Sequence, residues 1–279
     1  ALNITYRRVF LDYLLAISKQ IPQTPTLVQI QAVAPAIPHL ERLSQEEFLV
    51  DIAKEDLIWA FLGIAWFYQG QGFYALAEPL LKRALFIRKQ QLGTDHPDTA
   101  RSLNHLSLLY YDQGRYSEAE PLLKQSMSII EQQLGADHPD TATSLNSLGE
   151  IYRAQGRYGE AESQFIRALS IREQQLGANH PDTASSLHNL AVLYYDQGSY
   201  SEAEPLYIRA LSIRKQQLGD EHPNTAQSLS NLAALYYTQG RYSEAEPLFK
   251  SVLSIWENKG GTNHPKTATA LNNLARLYE

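Results

Sequence analysis

Apolar residues return along this chain at helical spacing, and the pattern as a whole returns every 42 residues. Leu103, Leu106, Leu109 and Tyr110 lie three or four residues apart or adjacent, which predicts a helix ending near Asp112-Gln113-Gly114. A second stripe, Leu122, Leu123, Ile129, Ile130 and Leu134, predicts the buried face of a second helix that starts after Tyr116. His96-Pro97, His138-Pro139, His180-Pro181, His222-Pro223 and His264-Pro265 keep the same step, as do Gly93, Gly135, Gly177, Gly219 and Gly261. Counting from Ala100 gives repeats 58–99, 100–141, 142–183, 184–225 and 226–267, then a partial repeat 268–279. Each repeat is one helix pair that hides its apolar face only against its neighbours, so the expectation is a stack rather than a globule with one core.

Helix ends are signalled too. Pro97 suits the first helical position, where its missing donor costs nothing, and Asp98 complements the positive end of the helix. Ser117-x-x-Glu120, Ser201-x-x-Glu204 and Ser243-x-x-Glu246 have capping-box spacing, and Gly135 and its equivalents suit C-terminal caps. Pro121, Pro205 and Pro247 are expected within the first turn, where an amide donor is least missed.

Leu187-x-x-Leu190-Ala191-x-x-Tyr194-x-x-x-Gly198-x-Tyr200-x-x-Ala203, followed by Ala210, resembles the tetratricopeptide repeat. Its small residues let helices approach and its large ones fill the gaps. The period is longer than the usual 34. The phrase Ala-Leu-Ser-Ile-Arg-x-Gln-Gln-Leu-Gly-x-x-His-Pro-x-Thr-Ala, at 168–184 and 210–226, resembles the kinesin light chain subtype. The resemblance covers residues 58–279. It implies an all-α, right-handed superhelical solenoid of antiparallel helix pairs, here with an N-terminal helical extension.

Residues 1–57 are read as that extension or as a cap, with Tyr6–Gln20 and Leu27–Leu43 helical and broken at 21–25, Pro35 and Pro38. The first repeat is degenerate, with Trp59, Phe61, Trp66, Phe67 and Tyr68 on its first helix. The chain opens Ala-Leu-Asn, which suggests a fragment of a longer protein. The arrangement resembles the C-terminal repeats of bacterial signalling NTPases, so a regulatory or sensor arm is an alternative role. At the other end Leu271, Leu274 and Leu277 form a stripe without a following helix, which suggests self-association.

Composition narrows the chemistry. With no cysteine, a disulfide scaffold, thiolate-held zinc and thiol catalysis are excluded, and the cytoplasm is the expected compartment. A net charge of −6 speaks against nucleic acid, and no apolar run reaches the roughly 20 residues of a membrane span. No Gly-x-x-x-x-Gly-Lys-Ser/Thr or Gly-x-Ser-x-Gly is present. Equivalent histidines of neighbouring repeats should lie about 10 Å apart, too far to share a metal. The carboxylates Glu118 and Glu120 are assigned to capping, and the Arg88, Arg172 and Arg214 series to an outer face, solvated or packed along its stems. No catalytic residue, metal or cofactor is expected.

A protein- or peptide-binding scaffold is the expected function. The resemblance places the second, fifth, ninth, twelfth and thirteenth positions of each repeat on an inner groove. Its candidate ligand residues are Arg101, Asn104, Tyr111, Asn146, Glu150, Arg153, His188, Tyr195, Tyr237 and Asn272, with Asn189 and Asn231 from the sixth position. The amides can bond a peptide backbone without reading its sequence, and the tyrosines offer broad contact with a polar tip. The sixth-position Asn189, Asn231 and Asn273 are also expected to tie helices together through backbone contacts. The kinesin light chain groove takes acidic, tryptophan-bearing peptides through basic and Asn residues. Here the asparagines are kept, but Arg101, Arg153 and Arg276 are offset by Asp112, Glu150, Asp196 and Glu279. Basic residues for a carboxylate clamp are missing at Val192 and Ala234.

Overall fold

The computed structural model describes residues 2–23, 25–44, 52–53, 56–261 and 265–278, which excludes His264 and Glu279. Every regular element among them is helical. Helix α1 (Leu2–Gln20), α2 (Leu27–Val33), a 3-10 turn (Ala34–Ala36) and α3 (Ile37–Leu43) come first. Antiparallel pairs follow: α4 (Trp59–Gly70) with α5 (Tyr74–Leu92), and α6 (Pro97–Asp112) with α7 (Tyr116–Leu134). Next come α8 (Pro139–Ala154) with α9 (Tyr158–Gln175), α10 (Pro181–Asp196) with α11 (Tyr200–Leu218), and α12 (Pro223–Thr238) with α13 (Tyr242–Gly260). The last helix is α14 (Pro265–Tyr278).

The helices group into two compact bodies, Ala1–Ala136 and Asp137–Glu279. In the first, α1 and α3 pack on α4, and the pairs α4/α5 and α6/α7 stack on one another. In the second, α8 to α14 stack in chain order. The expected small residues are fully buried: Ala191, Ala203 and Ala210 expose nothing.

Each described His-Pro of the series starts a helix, and the histidine itself is the cap. Nδ1 of His96, His138, His180 and His222 accepts the amide hydrogen of the residue two further on, each at 3.1 Å. Second helices end as expected, with Gly135 at φ +103° taking a conformation other residues resist.

Their starts differ from expectation. The residue before α7 is Arg115, without a side-chain cap, so Ser117 and Glu120 do not form a capping box. Glu118 instead pairs with Arg115 and Glu120 with Lys124, each at 2.7 Å. Pro121 lies inside the helix, beyond its first turn. Leu134 is exposed rather than part of the buried stripe, and in α14 Leu274 is buried while Leu271 is 48% exposed. The C-terminal leucines therefore do not form one exposed stripe, because α14 turns Leu274 onto α13's repeat.

The arginines of the second helices also differ from expectation. Arg172 and Arg214 are only 7% and 6% exposed, not on a solvated face. Arg172 donates Nη1 to the Asp182 carbonyl at 2.9 Å and to Ser186 Oγ at 3.0 Å, and Nη2 to Thr143 Oγ1 at 3.2 Å. Arg214 repeats the contact on Asn224 O and Ser228 Oγ, and Arg88 on Asp98 O. Each arginine thus latches a second helix to the start of the next first helix. Arg172→Ala is expected to cost about 2 to 3 kcal/mol, since a buried side chain is removed and the Asp182 carbonyl, Ser186 Oγ and Thr143 Oγ1 each lose one donor. Arg209→Ala, which breaks an exposed pair with Glu173, should cost under about 1 kcal/mol in the same urea titration.

Candidate functional groove

In residues 137–279 the first helices α8, α10, α12 and α14 are neighbours, and two cavities open between them. The first, of about 190 Å³, is lined by Val192, Tyr195 and Asp196 of α10, Asn231 and Ala234 of α12, and Tyr207 of α11. The second, of about 140 Å³, is lined by Ala234, Tyr237, Thr238, Phe249, Asn273 and Arg276, together with Tyr195. Adding 42 to each residue of the first cavity gives six residues of the second. The groove is therefore a ladder of equivalent pockets, each with an aromatic floor from a second helix and an asparagine and a tyrosine on its walls.

The walls are held in place by contacts between repeats. Tyr195 Oη and Thr238 Oγ1 lie 2.9 Å apart, and the Tyr237 hydroxyl donates to the Arg276 carbonyl at 3.3 Å. The Tyr195 and Tyr237 rings tilt against Tyr200 and Tyr242, with centroids 5.6 and 5.5 Å apart. Asn231 accepts from Gln227 at 2.9 Å and lies 3.3 Å from His188 Nε2. His188 meets the Tyr207 ring edge-on, and its Nδ1 is buried without a partner. Burial, then the charges of Arg214 and Arg153, push its imidazole down to about 3, so it is neutral in the fold.

Charge is consumed nearby. Arg153 donates to Glu150 at 2.8 Å and to Asp196 at 2.6 Å, bridging α8 and α10. The Arg276 guanidinium lies 5.6 Å from the Tyr237 ring and meets no carboxylate among the described residues. Asn146 is 7% exposed and donates to Ser186 Oγ at 2.9 Å, a tie between α8 and α10. Asn189 is half-buried on α10, and Asn272 is exposed on α14 beside the cavity residue Asn273. In the other body, Arg101 pairs with Asp98 at 2.7 Å, Tyr111 tilts against Tyr116, and Asn104 has a buried, unpartnered Oδ1.

The floors, Tyr207 and Phe249, were not among the candidate residues. A signal existed: Phe165, Tyr207 and Phe249 keep the 42-residue step on second helices. Among the described residues, no cluster of three His, Asp or Glu side chains is placed to hold a metal, and no helix is long and apolar enough to cross a membrane.

Tandem helix pairs with side-chain pockets repeating in step define a helical-repeat scaffold. The sequence signature of the tetratricopeptide repeat matches residues 56–132, 106–174, 142–216, 183–258 and 239–279, and the chain belongs to that family. Among solved structures it is similar to the nearly identical kinesin light chain TPR-like repeats of Podosopora anserina, with 30% identity over 71% of this chain and 93% of that one (TM-score 0.56). It is also similar to BtubC (BKLC) from P. vanneervenii, with 26% identity over 85% of this chain and 92% of that one (TM-score 0.63). The quorum sensor NprR from B. thuringiensis shares the fold at 16% identity, over 99% of this chain and 71% of that one (TM-score 0.69). None of the curated proteins compared with the chain matches it.

Proposed function

We propose that residues 137–279 bind an extended polypeptide segment of a protein partner, with side chains entering successive pockets of the ladder. The 42-residue register between the two cavities carries this reading. First helices of adjacent repeats pack about 10 Å apart. Three residues of a polyproline II segment span about 9 Å and complete one turn, so positions i and i+3 of such a ligand share a face and reach neighbouring pockets. The pocket over Tyr207 presents an aromatic floor, an amide and a carboxylate already held by Arg153, which suits a neutral side chain with a donor. The pocket over Phe249 presents the Arg276 guanidinium, which suits a carboxylate.

We infer that the array, residues 58–279, is of the kinesin light chain subtype and is preceded by the extension 1–57. The identity to the Podosopora anserina repeats and the phrase recurring at 168–184 and 210–226 support this. Within the groove Tyr195, Asn231 and Tyr237 are the proposed ligand contacts, while Asn146 serves the stack.

The test is a selection against an immobilised random peptide library, followed by affinity measurement on the enriched sequence. The combined variant Tyr195→Ala, Asn231→Ala and Tyr237→Ala is expected to bind it at least about tenfold more weakly with its helical content unchanged. Unchanged affinity rejects the groove. Enriched peptides should carry an acidic residue three positions from a neutral polar or aromatic one.

A further inference from the structure

Three repeats of this chain carry an arginine at the turn between their helices, and the chain itself shows how that group is held. Arg241 stacks on Tyr236, its Cζ 4.1 Å from the ring centroid. Nε and Nη2 fork onto Glu244 at 2.8 Å each, and Nη1 reaches Glu204 of the preceding repeat at 2.7 Å and Gln239 at 2.9 Å. Arg115 repeats this arrangement on Tyr110, Glu118, Glu78 and Gln113, with its four bonds all at 2.7 Å. Arg157 stacks on Tyr152 at 4.1 Å and forks onto Glu160. Fork, third acceptor and aromatic face together form a guanidinium-specific site.

The equivalent position in the fourth repeat is Ser199, yet the four holding residues are retained as Glu162, Tyr194, Gln197 and Glu202. The turn is unchanged. The Ser199 amide bonds the Tyr194 carbonyl at 2.8 Å, as Arg115 bonds Tyr110 and Arg241 bonds Tyr236. Tyr194 donates to Glu162 at 2.6 Å, as Tyr110 donates to Glu78. The other cation of the series is replaced as well: Glu78 pairs with Lys82 one turn on, whereas Glu162 is followed there by Ile166, 48% exposed. Among the described residues neither Glu162 nor Glu202 meets a cation. Glu202 accepts from Ser201 Oγ at 2.7 Å. Two carboxylates, an amide side chain and an aromatic ring thus stand at the positions that hold the guanidinium in the other repeats, for a group that this repeat does not encode.

We propose that Glu162, Tyr194, Gln197 and Glu202 bind the guanidinium of an arginine side chain from a partner polypeptide. The site lies at the turn between α10 and α11, outside the pocket ladder, and does not depend on what the groove takes.

The experiment follows backbone amides of the full chain by NMR during titration with the acetylated, amidated peptide Ala-Ala-Arg-Ala-Ala. Its citrulline counterpart, which keeps the shape without the charge, is the control. The expected result is saturable shifts of the Gln197, Ser199 and Glu202 amides with a dissociation constant on the order of millimolar, and at least fivefold weaker binding of the citrulline peptide. Ser199→Arg, which supplies the guanidinium from within, should abolish the response while raising the melting temperature. Glu162→Gln with Glu202→Gln should abolish it without that rise. Equal response to both peptides, or a Ser199→Arg protein that still titrates like the parent, overturns the proposal.

Discussion

Lowering the pH from about 6.5 to about 4.5 is expected to destabilise both bodies by roughly 2 to 3 kcal/mol each, through one histidine in each. His188 is held down to about 3 by burial and by the charges of Arg214 and Arg153. His105, edge-on to Trp66 at 5.4 Å, is held down to about 4 by burial and by Arg88 and Arg101. Both are neutral in the fold and free to protonate in the unfolded chain. The stability that neutrality supplies is therefore whole above about pH 6.5 and is lost as pH falls toward the folded values, because only the unfolded state takes up protons. Carboxylates act lower. Glu78, held down to about 2 by bonds from Arg115 and Lys82, loses its contribution only below about pH 4.5. Urea unfolding at a series of pH values, probed by circular dichroism, separates the two windows. His188→Gln should flatten the upper window for residues 137–279, and an unaltered profile would contradict the assignment.

Gly149→Val is expected to cost about 3 kcal/mol, although glycine inside a helix is normally the less stable choice by about 1 kcal/mol. Gly149 lies within α8, where a β-carbon would meet the Phe165 ring of α9, 2.5 Å from Cε1 and 2.8 Å from Cδ1. Phe165 exposes nothing and has no solvent to turn into. Gly149→Ala trades the propensity gain against an overpacking cost of about 1 to 3 kcal/mol, so its net effect falls between about 0 and 2 kcal/mol destabilising. The next two repeats carry Ala191 and Ala233 at this position, opposite Tyr207 and Phe249, so alanine fits the architecture and a branched side chain does not. Combining Gly149→Val with Phe165→Leu should recover most of the loss in a thermal melt. If the single valine variant melts with the parent, the close approach is not what selects glycine.

The helix pairs were legible in the sequence because a stack needs the same solution at every repeat. His-Pro, the positive-φ glycines and the apolar stripes each recur at one spacing, so five copies of each signal reinforce one another. What remained illegible depended on which of two neighbours a polar side chain meets. Ser117 and Glu120 have capping-box spacing, yet Glu120 pairs with Lys124 and the helix starts at Tyr116, two residues before a Ser117 cap would start it. Arg172 and Arg214 read as outer-face residues because their helix is exposed on most sides. Only the start of the following helix, supplying a backbone carbonyl and a serine, turns them into interior latches. Asn146 and Asn231 illustrate the same limit in the groove: one amide ties two helices, the other lines a cavity.

The sequence by itself determined the class of fold, the helix starts at His-Pro and most of the stripe that each helix buries, since these follow from local spacing and backbone chemistry. The tertiary structure alone decided which polar residues are spent inside the stack and which line the cavities. The physical reason is that a hydrogen bond between repeats joins residues some 40 positions apart, as between Asn146 and Ser186 or Arg153 and Asp196. No local pattern records such a partner. The same reach of one repeat into the next places Tyr207 and Phe249 beneath the pockets, and sets Glu162 beside a turn that carries Ser199.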